Sequence, residues 1–340
     1  MWINFICLSI TASWFRLLEV EGDKYFLAGK YQQAYRSYSS ALRRVDVDKN
    51  LSAVAVLIFK KSLSLSLGNS SQGTGDRSCR LDCSVESLFS RKEISLMEKA
   101  FEEEPSIWKK FLPVLKPSTA ERASLILIRL GVDRRSACFL NSAVRISRRC
   151  RLDDCEVLAR KHLEKIAPSY ENEVSLGKLL YRKGKYAEAL KYLRKALTKD
   201  FNGEASLYMA FCFSKMDDLS LAERYAEKAL TKRKEDPVTL TFAGTVYRKL
   251  GEFKKAERLL KRAVACSSGK SRSIASFQLA LVYYDLGVKN YNLGKDDEAM
   301  VYFDRCSRLV GKDNFLYQRC AYYISRIKRS ELTEEEALEK

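Results

Sequence analysis

Apolar residues recur every three to four positions along most of this chain, the spacing that predicts amphipathic helices. Between residues 171 and 263 a second, longer period is superimposed on the first. Small residues reappear after an interval of 67 positions: Gly177, Gly184, Ala189 and Ala196 correspond to Gly244, Gly251, Ala256 and Ala263. A middle copy with small residues at 210, 222 and 229 halves that interval to a repeat of about 34 residues.

Close packing explains why the same positions stay small. Gly or Ala lets two antiparallel helices approach to about 8–10 Å, while Leu180, Phe213 and Tyr247 occupy one shared slot as large apolar fillers. Pro237 opens the third copy. This pattern resembles the tetratricopeptide-repeat (TPR) family. The resemblance implies an all-α fold, an α-α superhelix built as a TPR-type solenoid of antiparallel helix hairpins, and a role as a binding scaffold.

The same spacing divides the whole chain. Residues 1–68 are predicted to hold a leading helix and the first hairpins, since Gly22, Gly29, Ala34 and Ala41 repeat the pattern. Residues 69–83 are rich in Ser and Gly and predict an inserted flexible loop. Residues 84–168 predict degenerate helical hairpins, with a non-repeat helical insert as the alternative for residues 106–167. The clear array covers 169–312, followed by a capping helix at 313–330 and an acidic tail at 331–340.

Catalytic chemistry is not predicted. His162 is the single histidine of the chain, and general-base catalysis needs an orienting partner. The ten cysteines are scattered without metal-ligand spacing, so no metal site and no cofactor are expected, and a reducing compartment is favoured. The chain lacks a phosphate-binding loop and a nucleophile elbow. We therefore expect neither an enzyme nor a small-molecule substrate.

The N-terminus leaves localisation open. Residues 1–15 are apolar but too short for a membrane span of about 20 residues. A leading helix packed on the first repeat is favoured, so no transmembrane span is expected. Cytoplasmic or nuclear localisation follows, with secretory targeting by residues 1–15 not excluded.

Candidate binding residues come from the family resemblance, in which the first helix of each hairpin lines the concave groove. The matching positions combine basic, polar and aromatic side chains. They are Lys178, Tyr181, Arg182, Lys215, Thr241, Thr245, Arg248, Lys249, Phe277 and Tyr284. An acidic or amphipathic segment of a partner protein would complement this surface.

A second basic zone precedes the clear array. Arg145, Arg148, Arg149 and Arg151 cluster at helical spacing and form a possible face for an anionic partner. The net charge of +18 supports acidic partners without choosing among them. Nucleic acid is possible but not favoured, because no RNA-binding aromatic signature accompanies the cluster. A solvated helix face is the simpler interpretation.

The predicted function is a scaffold or adaptor in a multiprotein complex. The first alternative is an RNA- or ribonucleoprotein-associated TPR subunit, distinguished by release from its complex on nuclease treatment. The second is a co-chaperone that holds a C-terminal carboxylate. The leading Lys and Asn of that clamp would fall at Glu19 and Asp23, or at Val174 and Lys178, and acidic residues repel a carboxylate.

Overall fold

The computed structural model describes residues 2–47, 50–69 and 88–338, with side chains left out at 2–14, 69, 117–118 and 330–338. Within those ranges all regular structure is helical and no strand is present. Consecutive helices pack as antiparallel hairpins, so the predicted all-α fold of tandem hairpins is confirmed. The chain forms two compact units, residues 1–172 and 173–340.

In its described residues, the first unit has seven α-helices and one 3₁₀ helix. They are α1 (Trp2–Leu27), α2 (Tyr31–Leu42), α3 (Leu51–Asn69), α4 (Arg91–Glu103), the 3₁₀ helix Ile107–Val114, α5 (Pro117–Asp133), α6 (Ala137–Arg149) and α7 (Asp153–Ile166). Helix α8 (Tyr170–Arg182) begins in this unit and ends in the next.

Helix α3 is the centre of the first unit. Every residue from Val54 to Lys60 is buried, so the helix is covered on all sides rather than along one stripe. The ammonium group of buried Lys60 pairs with the carboxylates of Glu19 and Asp23 on α1, at 2.7 and 2.9 Å. The two acidic residues that disfavoured a carboxylate clamp therefore neutralise a buried lysine.

The second unit continues the hairpins. It contains the rest of α8, α9 (Tyr186–Leu197), α10 (Glu204–Lys215), α11 (Leu219–Lys232), α12 (Pro237–Lys249), α13 (Phe253–Cys266), α14 (Gly269–Asn292), α15 (Asp296–Leu309) and α16 (Phe315–Leu338). Even-numbered helices α8 to α14 are the first helices of their hairpins. Helix α12 contacts both α10 and α14, so these first helices lie side by side.

The repeated small residues lie where the two helices of a hairpin touch. A Cβ atom on Gly177 would come within 2.5 Å of the Leu193 side chain, and one on Gly244 within 2.6 Å of Leu260. Ala196 and Ala263 are fully buried in the equivalent second-helix slots. The small residues that define the sequence repeat are therefore the residues at which the two helices of a hairpin contact each other.

The structure differs from the sequence prediction at both ends. The leading helix and the first helix of the first hairpin are one continuous helix, α1. The cap expected over 313–330 runs to Leu338, so the acidic tail continues the helix. The predicted loop at 69–83 starts on the last residue of α3, and its remainder lies outside the described residues.

Candidate functional site

Four aromatic side chains form a continuous cluster across three neighbouring first helices. We call Tyr181, Tyr208, Phe211 and Phe242 the aromatic row. Ring centroids are 5.6 Å apart for Tyr181 and Phe211, 5.2 Å for Tyr208 and Phe211, and 4.3 Å for Phe211 and Phe242. All four side chains are half-buried. The row thus presents apolar rings on the face that these helices share.

Helical spacing explains why the row is only half-buried. Tyr208 and Phe211 are three residues apart on α10 and share one half-buried edge of it, while Met209 and Ala210 between them are buried. Burial raises the pKa of Tyr181 and of Tyr208 above its usual value. Both phenols therefore stay neutral and can donate a hydrogen bond to a ligand.

Two of the predicted basic groove residues already have acidic partners. Lys178 forms an ion pair with Glu204 of α10 and lies 5.1 Å from the ring centre of Tyr208. Arg248 pairs with Asp285 of α14 at 2.7 Å. The basic stretch expected from the sequence is therefore partly neutralised by its neighbours. The Nε atom of Arg248 is buried and has no hydrogen-bond partner among the described residues.

The remaining predicted polar residues divide into two groups. Thr241 donates to the carbonyl of Pro237 at 2.6 Å. The Thr245 hydroxyl lies 2.9 Å from the carbonyl of Thr241 and 3.3 Å from Oε1 of Gln278 on α14. The exposed group lies at the ends of the first helices. Its members are Arg182, Lys215 and Lys249.

The two C-terminal aromatic candidates lie apart from the aromatic row. Tyr284 packs near Phe303 and Tyr323, with ring centroids at 6.1 and 6.2 Å. Phe277 is 6.4 Å from Phe315 at the start of α16. Both are half-buried, and their nearest rings belong to α15 and α16 rather than to a first helix.

Sequence reasoning missed Tyr208, Phe211 and Phe242. The sequence prediction included only positions that match the family's groove residues in each copy. On α10 that gave one candidate, Lys215. The available signal was that Phe211 and Phe242 each lie next to a buried alanine, Ala210 and Ala243, with Tyr208 one turn before Phe211. An aromatic residue one position away from a small slot is directed toward the hairpin edge.

The predicted anionic-partner face lies in the first unit. Arg148 is 3.2 Å from Glu156, a carboxylate that it shares with buried Arg160 at 2.9 Å. Arg145 donates to the backbone carbonyl of Pro105. Arg149 and Arg151 are exposed. The structure brings all four predicted arginines to the rim of one groove, together with Trp108 and Lys109.

Two further features bear on the predicted absences. Within the described ranges, no group of three or more His, Cys, Asp or Glu side chains could hold a metal ion. One described stretch, Leu51–Gly68, is long and apolar enough to cross a membrane by length and composition, but 61% of it is buried inside the protein. That stretch belongs to α3, the core helix of the first unit.

Comparison with known proteins identifies the repeats. Two tetratricopeptide-repeat models match the chain, one over residues 174–202 and the other over residues 239–269. They fall on α8–α9 and on α12–α13, which are the first and third copies of the sequence pattern. No curated protein matches the chain by sequence.

Solved structures with similar folds include several bacterial proteins. The MamA protein is 21% identical and covers 52% of this chain and 92% of its own length, with a TM-score of 0.43. The type IV pilus biogenesis factor PilW is 16% identical and covers 67% of this chain and 98% of its own length, with a TM-score of 0.44. PilF of Pseudomonas aeruginosa is 15% identical and covers 67% of this chain and 97% of its own length, with a TM-score of 0.45.

Proposed function

Because this chain is a tetratricopeptide-repeat protein, and so a protein-interaction scaffold, we propose that it binds an acidic or amphipathic segment of a partner protein. The binding surface is the first-helix face of the second unit. Membership of a multiprotein complex is part of the proposal. The observation that carries it is the aromatic row, in which three successive repeats contribute rings to one half-buried cluster.

The aromatic row supplies the affinity. Aromatic side chains have few rotatable bonds and dominate binding energy when they lie at the centre of an interface. The polar edge around the row suits an amphipathic ligand whose apolar side covers the rings. Exposed Lys215 and Lys249, at the ends of α10 and α12, attract acidic residues of the ligand and set the salt dependence of association.

The neutralised residues have a different role. Lys178 and Arg248 connect neighbouring first helices through Glu204 and Asp285, so they hold the face in place more than they add charge to it. Reversing the charge of Arg248 would disturb the repeat contact as well as binding, so exposed lysines are better test sites.

Affinity purification with mass spectrometry tests the proposal. We expect Tyr181→Ala/Phe211→Ala to lose the partners that wild-type protein captures, with a cost of about 1–3 kcal/mol in affinity at any salt concentration. Lys215→Glu/Lys249→Glu should weaken capture at low salt and less at high salt. The matched control is Tyr192→Ala, a half-buried aromatic residue on the second helix α9. Melting curves confirm that each variant folds.

Retention of the full partner set by both double variants would show that this face is not the binding surface. Release of the captured proteins by nuclease would instead favour the ribonucleoprotein alternative. The ribonucleoprotein alternative rests on the basic residues of the first unit and not on the aromatic row.

A further inference from the structure

A basic groove in the first unit combines arginine side chains with an indole ring. We call it the Arg–Trp groove. Its volume is about 630 Å³, and it is lined by Ser106, Trp108, Lys109, Arg145, Arg148, Arg149 and Arg151. The 3₁₀ helix Ile107–Val114 supplies the tryptophan and the lysine, and the end of α6 with the turn after it supplies the arginines.

The charge of this groove is largely uncompensated. Among the residues that the structure describes, no aspartate or glutamate lines it. Lys109, Arg149 and Arg151 are exposed, and none of them forms an ion pair within the described part of the chain. Arg148 shares its only carboxylate with Arg160, and its own side chain stays 62% exposed. An anionic ligand would therefore meet several cations that no protein group neutralises.

Trp108 distinguishes this groove from an ordinary basic surface. Its ring is half-buried because part of it packs against the core of the unit, which fixes its position while it still lines the groove. A fixed aromatic ring beside guanidinium groups is the arrangement by which proteins bind single-stranded nucleic acid. Phosphates meet the cations and a base stacks on the ring.

We propose that the Arg–Trp groove binds a single-stranded nucleic-acid segment, with one base on Trp108 and adjacent phosphates on the arginines. Arg145 and Arg149 are separated by about 6 Å along α6, so the cations follow a line instead of converging on one point. That arrangement suits successive phosphates of a strand. A peptide segment of Asp and Glu alone offers charge but no flat ring to cover the indole.

Fluorescence anisotropy with the full-length protein tests the charge contribution. The probes are labelled oligouridylate and oligothymidylate, each about 12 nucleotides long, titrated across a range of salt. Each lost phosphate contact lowers the slope of log affinity against log salt by about 0.7. We therefore expect Lys109→Gln/Arg149→Gln to lower it by about 1.4. The matched control, Arg91→Gln/Lys92→Gln, removes two exposed charges of α4 that do not line the groove and should leave the slope unchanged.

The tryptophan test separates stacking from charge. Trp108→Leu should weaken both probes by about 5- to 150-fold, the loss expected for one stacked base. Trp108→Phe keeps an aromatic face and should retain most of the affinity. Tighter binding of oligouridylate would assign RNA, and equal binding would assign single strands of either kind. If Trp108→Leu unfolds at a lower temperature than wild type, the proposal is judged on the change in salt slope and on the affinity of Trp108→Phe.

Two results would overturn the proposal. One is equal affinity of wild type and a normally folded Trp108→Leu variant. The other is displacement of the probes by a polyglutamate peptide of matched charge as effectively as by unlabelled oligonucleotide, because the groove would then be an acidic-peptide site.

Discussion

Gly244 illustrates what a single residue does in this fold. The sequence interval identified it as a close-contact position, and the structure shows that its space is taken by Leu260 of the second helix. Sequence could predict the small residue because it recurs. It could not predict the opposing leucine, because many apolar residues of α13 have the same helical spacing and only the packing selects one.

Gly244→Ala should destabilise the protein although alanine favours helices more than glycine does. The added methyl group would meet Leu260, and overpacking costs about 1–3 kcal/mol, against a propensity gain of about 1 kcal/mol. Urea unfolding of the variant should show a lower midpoint. Gly311→Ala is the control, since a Cβ there meets nothing within 4 Å. An unchanged or raised midpoint for Gly244→Ala would contradict the packing.

Asp236 links stability to pH at the start of α12. It accepts hydrogen bonds from the backbone and hydroxyl of Thr239 at 2.8 and 2.6 Å and from Arg233 at 3.0 Å. Burial alone would raise the pKa of Asp236, but these bonds outweigh it and hold the pKa below its usual value. A carboxyl group with a depressed pKa stabilises the fold above its unfolded pKa and loses that effect as pH falls through the folded one.

Asp236→Ala should therefore cost about 0.5–2 kcal/mol at neutral pH, the value of an N-cap. The difference from wild type should shrink as the pH falls through the depressed pKa of Asp236. Asp236→Asn keeps a capping side chain but does not titrate. It should remove most of the pH dependence that Asp236 contributes to the free energy of unfolding, and it should lower stability less than Asp236→Ala does. A difference between Asp236→Ala and wild type that persists unchanged into acid would exclude this linkage.

At the scale of elements, α3 was predicted closely and its surroundings were not. The apolar residues between 51 and 67 predict a single helix, and the observed helix is Leu51–Asn69. Its burial on all sides depends on α1, α2, α4, α5 and the 3₁₀ helix, which meet it only in three dimensions. The partners of Lys60 lie about 40 residues away along the chain, beyond the reach of local pattern reasoning.

The buried ion pair of α3 should respond asymmetrically to mutation. Lys60→Met removes the one deeply buried member of this three-residue group and leaves Glu19 and Asp23, each about a quarter exposed, in contact with water. We expect it to change stability by less than about 2 kcal/mol. Glu19→Gln/Asp23→Asn leaves the ammonium group buried without a counter-ion and should cost about 3–5 kcal/mol. Chemical denaturation compares the two, and equal losses would contradict the assigned burial.

The aromatic row shows where family resemblance stops. The resemblance pointed to the first helices and to Tyr181 and predicted a basic groove, whereas Lys178 and Arg248 have acidic partners on the next repeat. Those partners belong to different copies of the motif, so their proximity depends on how the hairpins stack. The rings on α10 and α12 form one cluster because the two helices lie side by side, which the sequence alone does not show.

At the scale of the whole molecule, the clear array was predicted from residue 169 and the second compact unit begins at residue 173. The degenerate repeats at 84–168 were harder because their spacing differs. In the α5–α6 hairpin, Gly131 faces Leu140 only nine positions later, across a short turn in which Arg135 has a φ of 51°. The clear repeats place sixteen positions between glycine and leucine, so a fixed-period search fails here.

A fragment of residues 169–340 should fold on its own, because each repeat is stabilised mainly by its neighbours. It contains all of α8 and the hairpins that follow. We expect cooperative thermal unfolding and a helical circular dichroism spectrum. The fragment 186–340, which lacks α8, is the control and should lose stability, since α9 would expose Leu193 that now packs on Gly177. A molten 169–340 fragment would contradict the division into two units.

Site-specific photo-crosslinking from the aromatic row tests most directly whether this face binds the partner. A photoreactive phenylalanine analogue replaces Phe211 in one variant and Tyr192 of α9 in the control, and both are irradiated in extracts of cells that express the protein. We predict that position 211 yields a crosslinked partner peptide with acidic or amphipathic character and that position 192 does not. Crosslinks to the same partner from position 192, with none from position 211, would contradict the assignment of the aromatic row as the binding surface.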